Sequence, residues 1–397
     1  MEAEKVIRMD ESNSPKKVKA VNLETFVFLG ILVIGFGYIA SVMGAGIMFK
    51  VIMNTAHDLL LNTVFLIMAM AVLAGALSAL LSEFGVISLI NKIFKSFMKP
   101  LYGLPGASIT GAIATYLSDN PAIISFAKDK NFTKYFKKHE VPALCNLGTA
   151  FGMGLILTTF MISQGKEYVL PAIIGNISAI IGSIVSVRIM LHFTKKLYNY
   201  DSSKEIDKSN LKNEAEYREI RGGNTFQRVL DAMLEGGKNG VEMGMAIIPG
   251  VLVVCTMVMI LTFGPSTDPV TGEAIYTGAA YEGIALLPVI GEKLRFILEP
   301  LFGFTSPEAI AFPITSLGAV GAAMSLVPQF ITDGVITPND IAVFTAMGMT
   351  WSGYLSTHVG MMDALNCREL TSKAIISHTI GGIFAGVSAH FIYMLLA

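Results

Sequence analysis

Apolar residues run in long blocks that are separated by short polar stretches. Leu23 to Phe49, Thr63 to Leu81, Val141 to Ser163, Leu170 to Phe193, Met243 to Phe263 and Ala374 to Ala397 are the clearest. Each approaches or exceeds the roughly 20 residues that an α-helix needs to cross a hydrocarbon core. The pattern predicts an all-α polytopic membrane protein. Val86 to Lys99 differs: Lys92, Lys95 and Lys99 flank an apolar stripe, as in a helix lying along the membrane surface. Pro105 to Ala127 is apolar but is interrupted by Ser118-Asp119-Asn120-Pro121, which predicts a re-entrant hairpin.

Loop charge sets the orientation, because cytoplasmic loops retain Lys and Arg. Lys128, Lys130, Lys134, Lys137 and Lys138 place 128–139 inside, whereas Gly264 to Gly283 and Ile331 to Asp340 carry acids without cations and belong outside. One thread satisfies all of these. Residues 1–22 form a polar cytoplasmic tail, 23–49 an extra N-terminal span, and Lys50 to Asn62 an outer-surface segment. Residues 195–227 form a cytoplasmic linker, and the C-terminus is outside. The result is seven spans and two re-entrant hairpins in an inner (plasma) membrane protein.

A shift of 200 residues superposes Lys99-Pro100-Leu101-Tyr102-Gly103 on Glu299-Pro300-Leu301-Phe302-Gly303, Thr115 on Thr315, Ser125 on Ser325 and Gly148 on Gly348. This divides the chain into repeats at 50–194 and 228–397. Each contributes an odd number of crossings, so the second is inverted. Inverted repeats with broken helices meeting near the midplane are a transporter architecture.

These segments resemble the nucleoside-recognition (Gate) domain family, which includes concentrative nucleoside transporters, the membrane part of ferrous-iron transporters and spore-maturation membrane proteins. The resemblance rests on Lys99 to Gly103, the hairpin ending Ser118-Asp119-Asn120-Pro121-Ala122, and the Gly-rich helix Ala143 to Thr159. Glu299 to Gly303, Pro313 to Pro328 and Ile341 to Asp363 carry it in the other half. It implies that the hairpin tips and the unwound middles of the following helices hold solute and coupling ion. The nucleoside transporters have a Gln-Thr-Glu-type tip where this chain has Ser118-Asp119-Asn120. The sequence holds no GxxxxGK[ST] phosphate loop like that of an attached GTPase.

Composition changes the picture little. Hydrophobic residues make up 53% and charged residues 15% of the 397, against about 25% charged in soluble domains. Cys145, Cys255 and Cys367 lack metal-ligand or disulfide spacing, and no basic, aromatic-interleaved face points to nucleic acid. The 22 methionines read as packing residues.

The candidate solute-binding residues are Ser118, Asn120, Thr149, Thr315, Ser316, Thr350, Trp351 and Ser352. Thr315 and Ser316, with Gly318 and Gly321, form the second hairpin's break. Asp119 and Asn146 are the candidate ion-binding residues, for Na⁺ or H⁺, because a carboxylate within the membrane is costly and usually functional. Asn120 before Pro121 also suits a helix N-cap. Trp351 suits either stacking on a planar ligand or packing, and His358 or Asp363 could titrate in proton coupling. The predicted function is secondary transport of a small polar solute, a nucleoside or related metabolite, with no enzyme chemistry and no bound cofactor. The alternatives are a divalent-metal permease using Cys145, Met and His358, and a non-transporting scaffold. The expected partners are the solute and the lipid bilayer, with homo-oligomerisation open.

Overall fold

The long apolar runs fall on the long helices. The computed structural model describes residues 19–120, 122, 135–198 and 220–396. Six helices among the described residues are long and apolar enough to cross a membrane: Leu23–Met43 (α1), Ala45–Glu83 (α2), Ala143–Ser163, Lys166–Leu197, Thr225–Thr262 and Arg368–Leu396. With a two-stranded ladder, Ser266–Thr267 (β1) on Ala274–Ile275 (β2), as the only sheet among the described residues, the chain is an all-α multi-pass membrane protein. Most of the expected 1–22 tail and 195–227 linker, and Lys128, Lys130 and Lys134, lie outside the described residues, as does Pro121.

The first two elements differ from the expected layout. The apolar block 23–49 is not one helix: Gly44, at φ 85°, ends α1 and starts α2. Lys50 to Asn62, expected at the outer surface, is helical and belongs to the first half of α2, which has 39 residues. At 1.5 Å per residue that helix is roughly 58 Å long, far more than the hydrocarbon core needs. Its polar first turns therefore have another partner. Lys50 donates to the Thr277 carbonyl and Asn54 to that of Gly278, while Thr55 Oγ1 accepts from the Tyr281 amide. Apolar periodicity carries no record of that docking.

Beyond α2, Val86–Phe97 runs into a π turn, Met98–Tyr102, so 86–102 is one element (α3). Val86–Phe97 buries no residue. Ser108–Leu117 is α4. Ala143–Thr149 (α5) and Gly154–Ser163 (α6) are separated by a break, and Lys166–Leu197 is α7. Thr225–Thr262 is α8 and Leu286–Phe302 is α9. Ala311–Gly318 (α10) and Val320–Thr332 (α11) follow, then Pro338–Trp351 (α12), Tyr354–Ala364 (α13) and Arg368–Leu396 (α14).

Helix boundaries recur at the 200-residue spacing. Residues 86–102 correspond to Leu286–Phe302, and each ends at a left-handed glycine, Gly103 (φ 75°) and Gly303 (φ 70°). The expected span 341–363 is broken: α12 and α13 meet at Gly353 (φ 68°), as α5 and α6 meet at Met153 (φ 54°). Corresponding helices pack antiparallel. Gly236, Gly240 and Gly244 of α8 lie against Gly75, Ala71 and Met68 of α2. In the other pair, α7 and α14 cross where Gly182 meets Ala385 and Ser186 meets Gly381. Small residues let these backbones approach closely, which is where helix association in lipid gains its van der Waals energy.

Candidate functional site

Two interrupted helices, α5/α6 and α12/α13, place the irregular backbone at the centre of the packed helices. α12 is buried from Asn339 through Trp351, and α5 is buried throughout. Irregular backbone at membrane depth needs protein or a cavity around it to satisfy its polar groups. Here the residues that follow α4 and the end of α10 supply them. Asn120, beyond α4, is 1% exposed and donates from Nδ2 to the Ser352 carbonyl at 2.6 Å. From the other side, the Gly353 amide donates to the Ser316 carbonyl at 2.8 Å, near the end of α10. Gly152, in the α5/α6 break, closes the group. A Cβ there would overlap Asn120 Oδ1 and come within 2.6 Å of Ser352 Oγ. At Gly353 a left-handed φ coincides with close approach to the Gly318 carbonyl, 2.9 Å from where a Cβ would stand. A side chain there would meet both strain and contact.

Three predicted residues or their backbones therefore come together, Asn120, Ser316 and Ser352, with Trp351 next to Ser352 in the chain. Asn120 Oδ1, Ser352 Oγ and Trp351 Nε1 are buried and have no hydrogen-bond partner. An unmet buried polar atom costs about 1–3 kcal/mol. Trp351 packs its indole edge on Gly382 of α14 and stacks with Tyr354 at 6.3 Å.

The remaining predicted hydroxyls turn to their own helices. Ser118 donates to Ala114, Thr149 to Cys145, Thr315 to Ala311, Ser316 to Pro313 and Thr350 to Ala346, at 2.6–2.9 Å. Thr149 also reaches Met361 Sδ at 3.5 Å. Thr315 and Ser316 lie in the last turns of α10 rather than in the break, which is the single extended residue Ala319. Asp119 accepts the Asn120 amide at 2.7 Å. Asn120 makes no N-cap bond among the described residues, since Nδ2 serves Ser352 and Oδ1 has no partner.

Asn146 stands apart from the tips. Its Nδ2 lies 2.9 Å from Ser186 Oγ, 2.9 Å from Ser377 Oγ and 3.1 Å from the Ala374 carbonyl, joining α5 to α7 and α14. Ser186 and Ser377 were not singled out from sequence, nor was His378, which bonds Ser186 and the Thr350 carbonyl. A lone histidine inside an apolar span was the available signal for His378.

No protein-family model matches the chain. Among curated proteins, an uncharacterised protein of Alkalihalophilus pseudofirmus is 24% identical over 293 residues, which cover 71% of this chain and 58% of the relative. The chain thus matches little more than half of that relative's length.

The fold is similar to that of CNTnw, a concentrative nucleoside transporter. Against CNTnw in an inward-facing substrate-bound state the TM-score is 0.53 at 15% identity, covering 94% of this chain and 87% of that one. Against a substituted CNTnw in an outward-facing state it is 0.54 at 16%, covering 94% and 88%. At this identity the likeness is one of fold.

Outside the centre, a cleft of about 470 Å³ lies where α2 ends and α8 begins, lined by Ser82, Glu83, Arg221, Glu235 and Asn239 among others. Glu83 is the anchor there. It is 5% exposed and accepts from Arg221 at 2.6 Å and Arg228 at 2.7 Å, tying the two long helices together. No group of three or more His, Cys, Asp or Glu among the described residues could hold a metal ion.

Proposed function

We propose that the chain is a secondary transporter of a small polar solute, a nucleoside or related metabolite, and that the solute binds at the paired helix breaks. The observation that carries this reading is the convergence on Ser352 and Gly353. Asn120 of the first hairpin segment and Ser316 of the second bond adjacent residues of one break. A solute seated there meets polar atoms from both halves of the chain, so exchanging those contacts for solute contacts links its binding to a relative movement of the halves. The fold likeness to CNTnw, which is known in inward- and outward-facing states, supports the same reading.

On this reading Pro105 to Ala127 and Pro313 to Pro328 are re-entrant hairpins, the repeats are inverted, and the chain is a Gate-type membrane protein. The N-terminus lies in the cytoplasm and the C-terminus outside the plasma membrane. Asp119, next to the first tip, and Asn146 are the candidate groups for a coupling Na⁺ or H⁺. Asn120, Ser316, Trp351 and Ser352 are the primary solute contacts, with Ser118, Thr149, Thr315 and Thr350 shaping the helix ends that present them.

The test is counterflow of radiolabelled uridine and adenosine in proteoliposomes holding the full-length protein. Exchange by the wild type, weakened at least about tenfold in Asn120→Ala, agrees with a loss of one or two buried hydrogen bonds. Exchange that is unaffected by Asn120→Ala and Ser352→Ala would remove the site.

A further inference from the structure

The polar network around His378 has hydrogen-bond roles that follow from its partners. His378 Nε2 lies 2.6 Å from the Thr350 carbonyl and Nδ1 lies 2.9 Å from Ser186 Oγ. A carbonyl can only accept, so Nε2 carries hydrogen, and in the neutral ring Nδ1 accepts from the Ser186 hydroxyl. Ser186 Oγ also takes a hydrogen bond from Asn146 Nδ2 at 2.9 Å.

Adding a proton at Nδ1 reverses one bond and breaks none of the others. The new N–H donates to Ser186 Oγ, whose two lone pairs then serve His378 and Asn146, while its own hydrogen rotates away. Both N–H groups of the imidazolium have an acceptor already in place, which is what a buried cation requires.

His358 of α13 stands beside it, with ring centroids 4.7 Å apart. It is fully buried, and neither ring nitrogen has a hydrogen-bond partner. Tyr354 packs against both rings, at 5.4 and 5.1 Å, and its hydroxyl pairs with Thr379. Several other titratable groups on the packed helices have partners elsewhere. Arg188 of α7 bonds the Leu101 carbonyl, Asp340 of α12 bonds Thr337, Asp363 pairs with Arg368, and His390 bonds Asn339. Cys145 of α5 is a buried thiol beside Thr149. Two imidazolium charges this close repel strongly in low dielectric, so the pair holds one proton at a time.

We propose that the His358–His378 pair is a proton-binding site. His378 holds the proton between the Thr350 carbonyl and Ser186 Oγ, the neighbouring His358 ring stays neutral while it does so, and H⁺ is the coupling ion of the carrier. This rests on the transport reading above. The link to the solute site is short: Thr350 is two residues before Ser352, the residue that Asn120 grips. A charge on His378 strengthens its bond to the Thr350 carbonyl, and so fixes the end of α12 at the break.

Two measurements on the full-length protein separate this proposal from the reading it rests on. The first is nitrogen-15 NMR of labelled imidazoles between about pH 4 and about pH 8. One ring of the pair should gain a proton on acidification, and that step should be missing in His378→Gln. Rings that stay neutral throughout, or a step that survives in His378→Gln, overturn the proposal whatever the protein transports.

The second is uridine transport in sodium-free proteoliposomes. His378→Gln should fold, because its side-chain amide can still donate to the Thr350 carbonyl and accept from Ser186. It should keep uridine exchange and lose gradient-driven accumulation about tenfold or more when an inward proton gradient is applied. Unchanged accumulation in this folded variant overturns the proposal. Absent exchange in the wild type counts against the nucleoside reading alone, and the imidazole titration still decides the proton site.

Discussion

Replacing Gly152 by alanine adds one methyl group where three segments meet. The new Cβ would overlap Asn120 Oδ1 and lie 2.6 Å from Ser352 Oγ, both on buried residues. Neither can withdraw freely: the Asn120 amide is held to the Ser352 carbonyl at 2.6 Å, and Ser352 is in the break itself. Overpacking of this kind costs about 1–3 kcal/mol, and losing the Asn120 bond adds about 1–3 kcal/mol for the carbonyl left without it. A total of about 2–5 kcal/mol is therefore expected, allowing for partial relaxation. The reporter is built in. Trp351 is the single tryptophan and adjoins Ser352, so thermal unfolding followed by intrinsic fluorescence reads the break directly. Gly46→Ala is the control, since no atom lies within 4 Å of its added Cβ. In a helix that change should be neutral or stabilising by about 0.5–1 kcal/mol. Removing the obstructing oxygen should relieve most of the cost, so Gly152→Ala should be milder in an Asn120→Ala background, with a coupling of about 1 kcal/mol or more. A Gly152→Ala protein with the emission and melting temperature of Gly46→Ala would refute the placement of Asn120 against Gly152.

Glu83→Ala should destabilise the protein by about 1–3 kcal/mol, below the value for a fully buried pair because Arg221 and Arg228 are partly exposed. Chemical denaturation measures this, and an unchanged midpoint would mean that the two arginines find other acceptors. The Glu282 carboxyl is raised by burial, but bonds from Ser266, Thr277 and Gly278 outweigh that and hold it below the usual carboxylate range. Its folded pKa is lowered, so its stabilisation is complete above the unfolded value of about 4.3 and is lost as pH falls through the folded value. Amide exchange in 276–282, compared between wild type and Glu282→Gln, should show acid loosening in the wild type alone. In a variant lacking Cys145, Cys255 and Cys367, a cysteine at Glu273 should react with an impermeant thiol reagent in intact cells, and one at Lys137 only after permeabilisation. Reaction at Lys137 in intact cells would invert the orientation derived from loop charge.

The number of long apolar runs, the helix over 86–97 and the recurrence at 200 residues were legible from residue order alone. Each depends on local periodicity, and in lipid the backbone leaves no alternative to helix for an apolar run of that length. Recurrence also survived in the paired left-handed turns at Gly103 and Gly303, because only glycine adopts that conformation without a Cβ penalty. The hairpin motif marked Asn120, and the repeat marked the helix containing Trp351 and Ser352. Their mutual contact was not visible, since Asn120 and Ser352 are 232 residues apart, and side-chain direction at such a distance is set by how helices cross. For the same reason Thr149, Thr315 and Thr350 looked equivalent to Asn120 in sequence, yet the fold lets their hydroxyls bond to their own helices. It gives Asn146 to Ser186 and Ser377, and turns His358 and His378 toward each other. An amide or imidazole carries its chemistry in the sequence, but its burial and its partners come from the packing of α5, α7, α12, α13 and α14. Tertiary structure alone therefore decided which polar residues are satisfied and which are free to act.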